Sequence, residues 1–297
     1  MKQALESLRS TVGLWSPGME AVAPSQLKEL LGQVEQQGWP VLWYPESYGR
    51  EAFTAGALAL AASTKLKLAT GIANIHGRDP IAASSAARSL NAAYPDRFIT
   101  GLGVSHRPIV ERLRGHEYAK PLEAMRSYLE AMAAASPFMV EANTEHAVVI
   151  AALGPKMLEL AATNADGALP YLVTPEHTAT ARPILGESFL AVEQAVVLTS
   201  DHAVGLERAH RHLHIYTGLD NYRASWRRLG FGDEDFVPGG SDRLAEAMVT
   251  IGSAEQIAQR VVQHREAGAD HVCLQVLGED GISLDLEATA EIREALT

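Results

Sequence analysis

The chain has 297 residues, of which 47% are hydrophobic and 21% are charged, and its formal net charge is −11. This composition is that of a globular protein with enough apolar side chains to bury a sizeable core. The acidic excess argues against nucleic acid or an anionic membrane as a partner, since both require clustered lysine and arginine.

The single cysteine, Cys273, allows no intrachain disulfide, which suits a reducing compartment. It lies within a predicted strand, where a thiol is typically a small buried hydrophobe. The N-terminal residues show no apolar core of a signal peptide. No apolar run approaches the roughly 18–20 residues that cross a membrane. We therefore expect a cytoplasmic protein.

Short apolar or β-branched runs alternate with longer stretches of helical periodicity along the chain. The runs that predict strands are 11–15, 40–44, 66–72, 97–103, 146–152, 166–171, 188–199 and 270–277. Helices are predicted between them, most clearly over 23–38, 79–95 and 253–268. Asp79 before Pro80 is typical of a helix start, and Ser253 with Gln256 three residues later fits a capping box.

Strands separated by helices, without tight hairpin turns, predict βαβ crossovers and a parallel sheet. An open doubly wound sheet has the same alternation. The eight units and the lack of an early glycine-rich dinucleotide fingerprint favour a closed (β/α)8 TIM barrel. We expect residues 1–297 to form one α/β domain with a helical and loop insertion at about 205–240, between the seventh and eighth strands. The insertion predicts a lid or substrate wall, a dimer contact or an ordinary helical pair.

Residues that follow barrel strands face the active site. Among these residues there is no pair of carboxylates suited to glycoside hydrolysis, and the chain has no nucleophile elbow. His210, His212 and His214 are closely spaced, but they lack the third ligand and general base typical of a zinc enzyme, so we expect no metal site.

The stretch "ALGPKM" places Gly154 and Pro155 directly after a predicted strand. Proline is common in the first helical turn, so plain helix capping is one interpretation. The other is an anion site, because the first-turn amides and the helix dipole together attract phosphate. Lys156 either adds positive charge there or points to solvent.

Five segments together resemble the bacterial luciferase-like, flavin-dependent oxidoreductase superfamily, and most closely its actinobacterial branch that uses the deazaflavin coenzyme F420. They are "LWYPES", "ATGIANIHGRDP", "RFITGLGVSH", "AALGPKMLELAATNADGALPYLVTPEH" and "GSAEQIAQRVVQHREAGADHVCLQVL". The resemblance covers most of the chain apart from the insertion. It implies hydride transfer between the deazaflavin and a small organic substrate.

Members of this superfamily carry an acid followed by histidine after the second strand, whereas this chain has Glu46 and Ser47. The resemblance implies that Glu46 contacts the cofactor ring or assists proton transfer. His76, His106 and Tyr48 are possible substitutes for the missing imidazole. Trp15, His76 and His106 are expected on the substrate face.

The resemblance also implies where the cofactor binds. Members often hold a non-prolyl cis peptide against the ring, and the matching bond here is Gly71–Ile72. With the resemblance counted, anion binding at the turn before Pro155 becomes the favoured interpretation. The expected cofactor-binding residues are Glu46, Ser47, Gly71, Ile72, Ala73, Val104, Ser105, Ala152, Leu153, Gly154, Pro155, Lys156, Leu169, Pro170 and Tyr171.

Two other functions fit the sequence. One is an FMN-dependent luciferase-like monooxygenase. The other is a catalytically inactive protein that binds F420 or flavin, which Ser47 in place of histidine leaves open. Small-residue helices near strands two and three predict a homodimer, although the same faces could simply pack on the barrel.

Overall fold

The computed structural model describes residues 2–47, 49–135 and 144–296. Within them, every pair of neighbouring strands is parallel. The strands are β1 (Thr11–Trp15), β2 (Val41–Tyr44), β3 (Lys67–Thr70), β4 (Ala73–Asn74), β5 (Phe98–Gly103), β6 (Ala147–Ile150), β7 (Gly167–Ala168), β8 (Phe189–Leu198), β9 (Val249–Gly252) and β10 (His271–Val276).

The sheet closes on itself in the order β1-β2-β3-β5-β6-β7-β8-β10, with β10 returning to β1. The predicted closed barrel of eight strands is therefore confirmed. The helices are α1 (Gln3–Glu6), α2 (Gly18–Ala21), α3 (Pro24–Gln36), α4 (Ala52–Ala62), α5 (Pro80–Ala93), α6 (Pro121–Ala135), α7 (Pro155–Asn164), α8 (Pro175–Leu185), α9 (His202–Leu213), α10 (Asp220–Arg228), α11 (Asp242–Met248), α12 (Ala254–Glu266) and α13 (Leu286–Ala295).

Predicted helix starts are present where the capping residues indicated them. The Asp79 carboxylate accepts hydrogen bonds from the first-turn amides of α5. Ser253 and Gln256 form the capping box of α12. These contacts satisfy amides that have no partner inside the helix.

The inside of the barrel is packed with side chains from alternate strand positions. Trp43, Phe189 and Cys273 lie in this interior cluster, together with Leu5 and Leu8 from the N-terminal segment. The predicted burial of Cys273 is thus confirmed.

His271 belongs to the same interior face. Trp43 Nε1 donates to its Nε2 at 3.2 Å, and its Nδ1 lies 2.9 Å from the Thr11 hydroxyl. Burial lowers the pKa of His271 to about 3, so the imidazole is a neutral part of the packed interior.

Two short strands were missed by the sequence analysis. β4 has two residues beside β5, and β9 pairs with residues 195–198 of β8. β4 is too short to show the alternation that predicts a strand. β9 has four residues but follows α11 without an intervening loop, so its apolar residues look like a continuation of that helix. β10 pairs with one edge of β8. On the other edge, β7 pairs with the first residues of β8 and β9 pairs with the last ones.

The chain between β8 and β10 contains α9, α10, α11, β9 and α12. Its aromatic side chains pack into a separate apolar cluster that includes Tyr222, Trp226, Phe231 and Phe236. In the part of the chain that the structure describes, no helix is both long and apolar enough to cross a membrane.

Candidate functional site

Glu46, just after β2, is held by several donors at the C-terminal rim of the barrel. Its Oε2 accepts a hydrogen bond of 2.7 Å from the Asn74 amide. Its Oε1 accepts from the Arg78 guanidinium and, at 3.3 Å, from the Ala52 amide. Only 3% of the Glu46 side chain is exposed. These contacts tie the end of β2 to α4 and to the segment after β3.

Ser47 occupies the position where the resemblance places a histidine. Its amide donates a 2.5 Å hydrogen bond to Oε1 of Glu20. Burial raises the pKa of the Glu20 carboxyl, while the hydrogen bonds from Ser47 oppose that change. Ser47 is therefore flanked by the carboxylates of Glu46 and of Glu20 in α2, and its own position carries no imidazole. Tyr48, a predicted substitute, lies outside the described residues.

The peptide bond between Gly71 and Ile72 is cis, as the resemblance implied. Trp15 Nε1 donates a 3.0 Å hydrogen bond to the Gly71 carbonyl, and the Ile72 carbonyl accepts from the Glu46 amide at 3.1 Å. A Cβ on Gly71 would lie 2.5 Å from Trp15 Nε1. We call residues 71–74 the β3–β4 bulge.

The β3–β4 bulge lies directly on β5. A Cβ at Gly103 would come within 2.2 Å of the Ile72 side chain, and one at Gly101 within 1.9 Å of the Thr70 carbonyl oxygen. Thr70 also exchanges hydrogen bonds of 2.7 Å with the Gly101 backbone. Only glycine on β5 permits this close approach. Ala73, another predicted cofactor contact, is fully buried in β4.

The two predicted rim histidines have different neighbours. The His76 ring lies 6.2 Å from that of Tyr118, whereas the His106 ring lies 5.8 Å from that of Tyr222 in α10. Burial lowers the pKa of both imidazoles, so both favour the neutral form. Each could accept or donate a hydrogen bond without carrying charge.

The loop after β5 has a constrained backbone at its predicted cofactor residues. Val104 is half-buried, and Ser105 has a φ of +57°, in the left-handed region. The Ser105 carbonyl accepts a hydrogen bond of 3.3 Å from the Tyr118 hydroxyl. Tyr118 thus joins this loop to the surroundings of His76.

The segment "ALGPKM" forms the predicted strand-to-helix turn. Gly154 is the N-cap of α7, Pro155 is its first residue, and Lys156 is exposed. The Leu153 carbonyl accepts hydrogen bonds from Arg228 Nη2 at 2.9 Å and from His177 Nε2 at 3.0 Å. Ala152, just before it, is buried. An arginine of the insertion therefore lies beside the turn proposed to hold an anion.

Tyr171 is the centre of an aromatic cluster at the mouth of the barrel. Its hydroxyl donates to Gln275 Oε1 at 2.7 Å and lies 3.0 Å from the Tyr216 hydroxyl. Its ring centroid is 5.2 Å from that of Trp15. Burial raises the pKa of Tyr171 well above its usual value. Leu169 and Pro170, the other predicted residues of this loop, are buried.

We call Trp15, Tyr171, His212, Tyr216 and Tyr222 the mouth cluster, since their rings adjoin one another. The sequence analysis did not assign individual roles to the last three. The signal available was the aromatic and histidine content of the insertion, which marked the region without showing which side chains reach the barrel.

The chain is 24% identical over 320 residues to a Mycobacterium tuberculosis protein whose name describes a coenzyme F420-dependent oxidoreductase, covering 86% of this chain and 91% of that protein. It is 28% identical over 155 residues to the 5,10-methylenetetrahydromethanopterin reductase of Methanolobus tindarius, covering 46% of each.

The fold is similar to that of an F420-dependent secondary alcohol dehydrogenase solved with an F420–acetone adduct. The TM-score is 0.75 at 15% identity, with 97% of this chain and 99% of the other covered. A type II Baeyer–Villiger monooxygenase of Pseudomonas putida, solved with FMN, gives a TM-score of 0.64 at 13% identity, with 96% and 98% covered. A sequence model of the luciferase-like monooxygenase family matches residues 8–271. The chain belongs to the luciferase-like monooxygenase family.

Proposed function

We propose that the protein is a coenzyme F420-dependent oxidoreductase that transfers a hydride between the deazaflavin and a small organic substrate. The proposal rests on the arrangement of the C-terminal rim of the barrel in a chain of this family. One part of the rim is a glycine-lined bulge at residues 71–74, and another is a helix N-terminus at Pro155 beside Arg228. The relatives named for F420 support the choice of cofactor.

The residues present fit a ring with carbonyl oxygens and a phosphorylated tail. Asn74 is 1% exposed, and its Nδ2 is buried without a hydrogen-bond partner among the described residues. Its Oδ1 accepts from the His76 amide, which fixes the orientation of the side chain. An amide donor of this kind, at the end of the β3–β4 bulge, suits a carbonyl oxygen of a bound ring.

The tail would bind at the loops after β5, β6 and β7. The amides of the first turn of α7 and the positive end of its dipole suit a phosphate group. Arg228 supplies a fixed guanidinium next to Gly154, since its Nη2 would lie 3.7 Å from a Cβ at that position. Ser105 and Leu153 belong to the same proposed tail site.

The bound deazaflavin would supply the hydride chemistry, and the protein supplies position and a dry environment. The Glu46–Arg78 pair holds the loops around the β3–β4 bulge in one arrangement. Trp15, His76 and His106 are proposed to line the substrate face. Glu46 remains a predicted ring contact, with its carboxylate engaged by Arg78 and by backbone amides.

Titration of the purified protein with oxidised F420, followed by the cofactor's fluorescence, tests the proposal directly. We expect saturable quenching, a weaker response to FMN, and weaker F420 binding in Arg228→Ala. Arg227→Ala is the matched control, because Arg227 is in the same helix but pairs with Asp233. Micromolar binding of FMN without any response to F420 would overturn the choice of cofactor.

An FMN-dependent monooxygenase is the second candidate, favoured by the similar fold of the FMN-bound monooxygenase. A non-catalytic binding protein is the third, because Ser47 replaces the expected imidazole. Reduced F420 incubated with a panel of enones, ketones and alcohols and their products separates the candidates. Tight F420 binding without turnover of any compound would favour the binding protein.

We also propose a homodimer through α4 and α5. Leu58 of α4 and Ile81 of α5 are exposed, at 39% and 58% respectively. Light scattering at micromolar concentration tests this, and a monomeric mass would contradict it.

A further inference from the structure

Glu193 is a buried carboxyl group in the middle of β8 with one oxygen unused. It is 0% exposed. Its Oε2 accepts a hydrogen bond of 2.9 Å from the Leu172 amide, whereas Oε1 is buried and has no partner among the described residues. An unpaired polar atom in such a position costs stability unless something else binds to it.

The side chain of Glu193 lies inside the barrel, below the mouth cluster. It shares the inward face of β8 with Phe189 and Ala191, and it pairs in register with Cys273 of β10. These three neighbours are members of the interior cluster. The Glu193 amide donates a hydrogen bond to the Pro170 carbonyl, and its carboxyl accepts one from the Leu172 amide. Tyr171 lies between these two residues in the chain.

The titratable groups that Glu193 faces are the hydroxyls of Tyr171, Tyr216 and Tyr222 and the thiol of Cys273. None of these four groups carries a positive charge. Burial therefore raises the pKa of Glu193 to about 8, opposed only by the Leu172 amide. With Oε2 accepting from that amide, the proton of the neutral acid resides on Oε1, which makes Oε1 a hydrogen-bond donor.

We propose that Glu193 is a neutral carboxylic acid whose Oε1 donates a hydrogen bond to a carbonyl oxygen of the molecule bound at the barrel mouth. This inference rests on the proposed function. The carbonyl belongs either to the substrate, whose class is then ketones, aldehydes or enones, or to the deazaflavin ring. A neutral acid in an apolar site is a strong donor to an oxygen on which negative charge develops.

The contribution of Glu193 to the stability of the fold does not explain why this residue is an acid. Its folded pKa lies above the usual glutamate value, so the folded state loses stability as the pH rises through the range between the two. Gln would keep an acceptor for the Leu172 amide without this loss. The variant Glu193→Gln is therefore expected to fold, and Cys273→Ala is a matched control in the neighbouring strand.

The first measurement needs no cofactor. Infrared difference spectra of wild type against Glu193→Gln should show the carbonyl band of a protonated carboxylic acid at neutral pH. The band should disappear with a midpoint at about 8, and Cys273→Ala should keep it. A spectrum without this band, or with a midpoint near that of an ordinary glutamate, overturns the proposal.

The second measurement identifies the source of the carbonyl. The dissociation constant of F420 is measured by fluorescence from about pH 6 to about pH 10 in the same three proteins. If the ring is the acceptor, the wild-type value rises about tenfold per pH unit above the pKa of Glu193, and the rise is absent in Glu193→Gln. If the substrate is the acceptor, F420 binding is the same in wild type and Glu193→Gln, and the KM of the best carbonyl substrate shows that rise instead.

The proposal is overturned if neither the dissociation constant of F420 nor the KM of a carbonyl substrate depends on Glu193. It is also overturned if F420 binding does not depend on Glu193 and no carbonyl compound is turned over. Failure of the wild-type protein to bind F420 is a different result. It removes the proposed cofactor, while the infrared band still reports whether Glu193 is a neutral acid.

Discussion

The two sides of the barrel mouth are built in different ways. On the side of β2, β3 and β5, the β3–β4 bulge is fixed by backbone contacts, by glycines and by the buried Glu46–Arg78 pair. On the side of β7, β8 and the insertion, the surface consists of large aromatic side chains held by hydroxyl hydrogen bonds.

The difference indicates a division of labour. Backbone and glycine contacts tolerate almost no substitution, so they suit a part of the site that always holds the same group. Aromatic walls can change size and polarity one side chain at a time, which suits the part that selects a substrate. Under the proposed function, we therefore expect the β3–β4 bulge to contact the cofactor and the mouth cluster to contact the substrate, except for Tyr171, which stays a predicted cofactor contact. Four substitutions test this contrast.

The largest effect is expected for Arg78→Met. It removes the guanidinium that pairs with Glu46 and leaves a carboxylate, with a 3% exposed side chain, held only by backbone amides and without its cationic partner. We expect a loss of about 3–5 kcal/mol in the free energy of unfolding, measured by urea denaturation. Arg107→Met is the control, since its pair with Glu111 is exposed and worth about 1 kcal/mol or less. Equal effects of the two substitutions would contradict the structural role of the buried pair.

Gly101→Ala is expected to cost about 3 kcal/mol, because the new Cβ would meet the Thr70 carbonyl oxygen at 1.9 Å and neither backbone can move freely. Gly32→Ala in α3 is the same chemical change with nothing within 4 Å of the new atom. That control should stabilise the protein by about 0.5–1 kcal/mol. Thermal unfolding of both variants gives the comparison, and a mild effect at Gly101 would show that β5 does not need close contact with β3.

His212→Gln tests the mouth cluster through its pH dependence. Burial lowers the pKa of His212 from 6.5 to about 4. Protonation therefore favours the unfolded state, and wild type loses stability as the pH falls from 6.5 to about 4. The variant lacks the group that binds this proton. The slope of its free energy of unfolding against pH should therefore be smaller than that of wild type by about 1.4 kcal/mol per pH unit. Urea denaturation at several pH values measures the slopes, and parallel slopes would refute the prediction.

The smallest effect is expected for Tyr216→Phe. It removes one hydroxyl from the 3.0 Å contact with Tyr171, at a cost of about 1 kcal/mol in stability. The KM for the substrate should change, and the dissociation constant of F420 should stay the same. Tyr118→Phe, which loses a hydrogen bond to the Ser105 carbonyl on the proposed tail loop, should show the opposite pattern. The same response in both variants would abolish the assignment of two sides.

The sequence predicted the parts of the fold that depend on local signals. Alternating apolar runs located the eight barrel strands, and Asp79 and Ser253 marked helix starts, because both signals act within a few residues. It also located the turn at Gly154 and the cis bond at Gly71, the latter by family resemblance.

What the sequence could not show depends on contacts between distant segments. Glu46 is separated by 32 positions from Arg78, and Tyr171 by 104 positions from Gln275. Glu193 looks like an ordinary polar residue within a strand, and its missing partner is visible only once the barrel is closed. The insertion gave no periodic pattern that would assign Tyr216 or Tyr222 to the mouth.

The Leu153 carbonyl accepts from both His177 in α8 and Arg228 in α10. Hydrogen bonds to this one oxygen thus connect the loop before α7 with α8 of the barrel and with α10 of the insertion. This loop, α8 and α10 therefore cannot shift relative to one another without breaking one of these two hydrogen bonds, so a movement of any one of them is resisted by the other two.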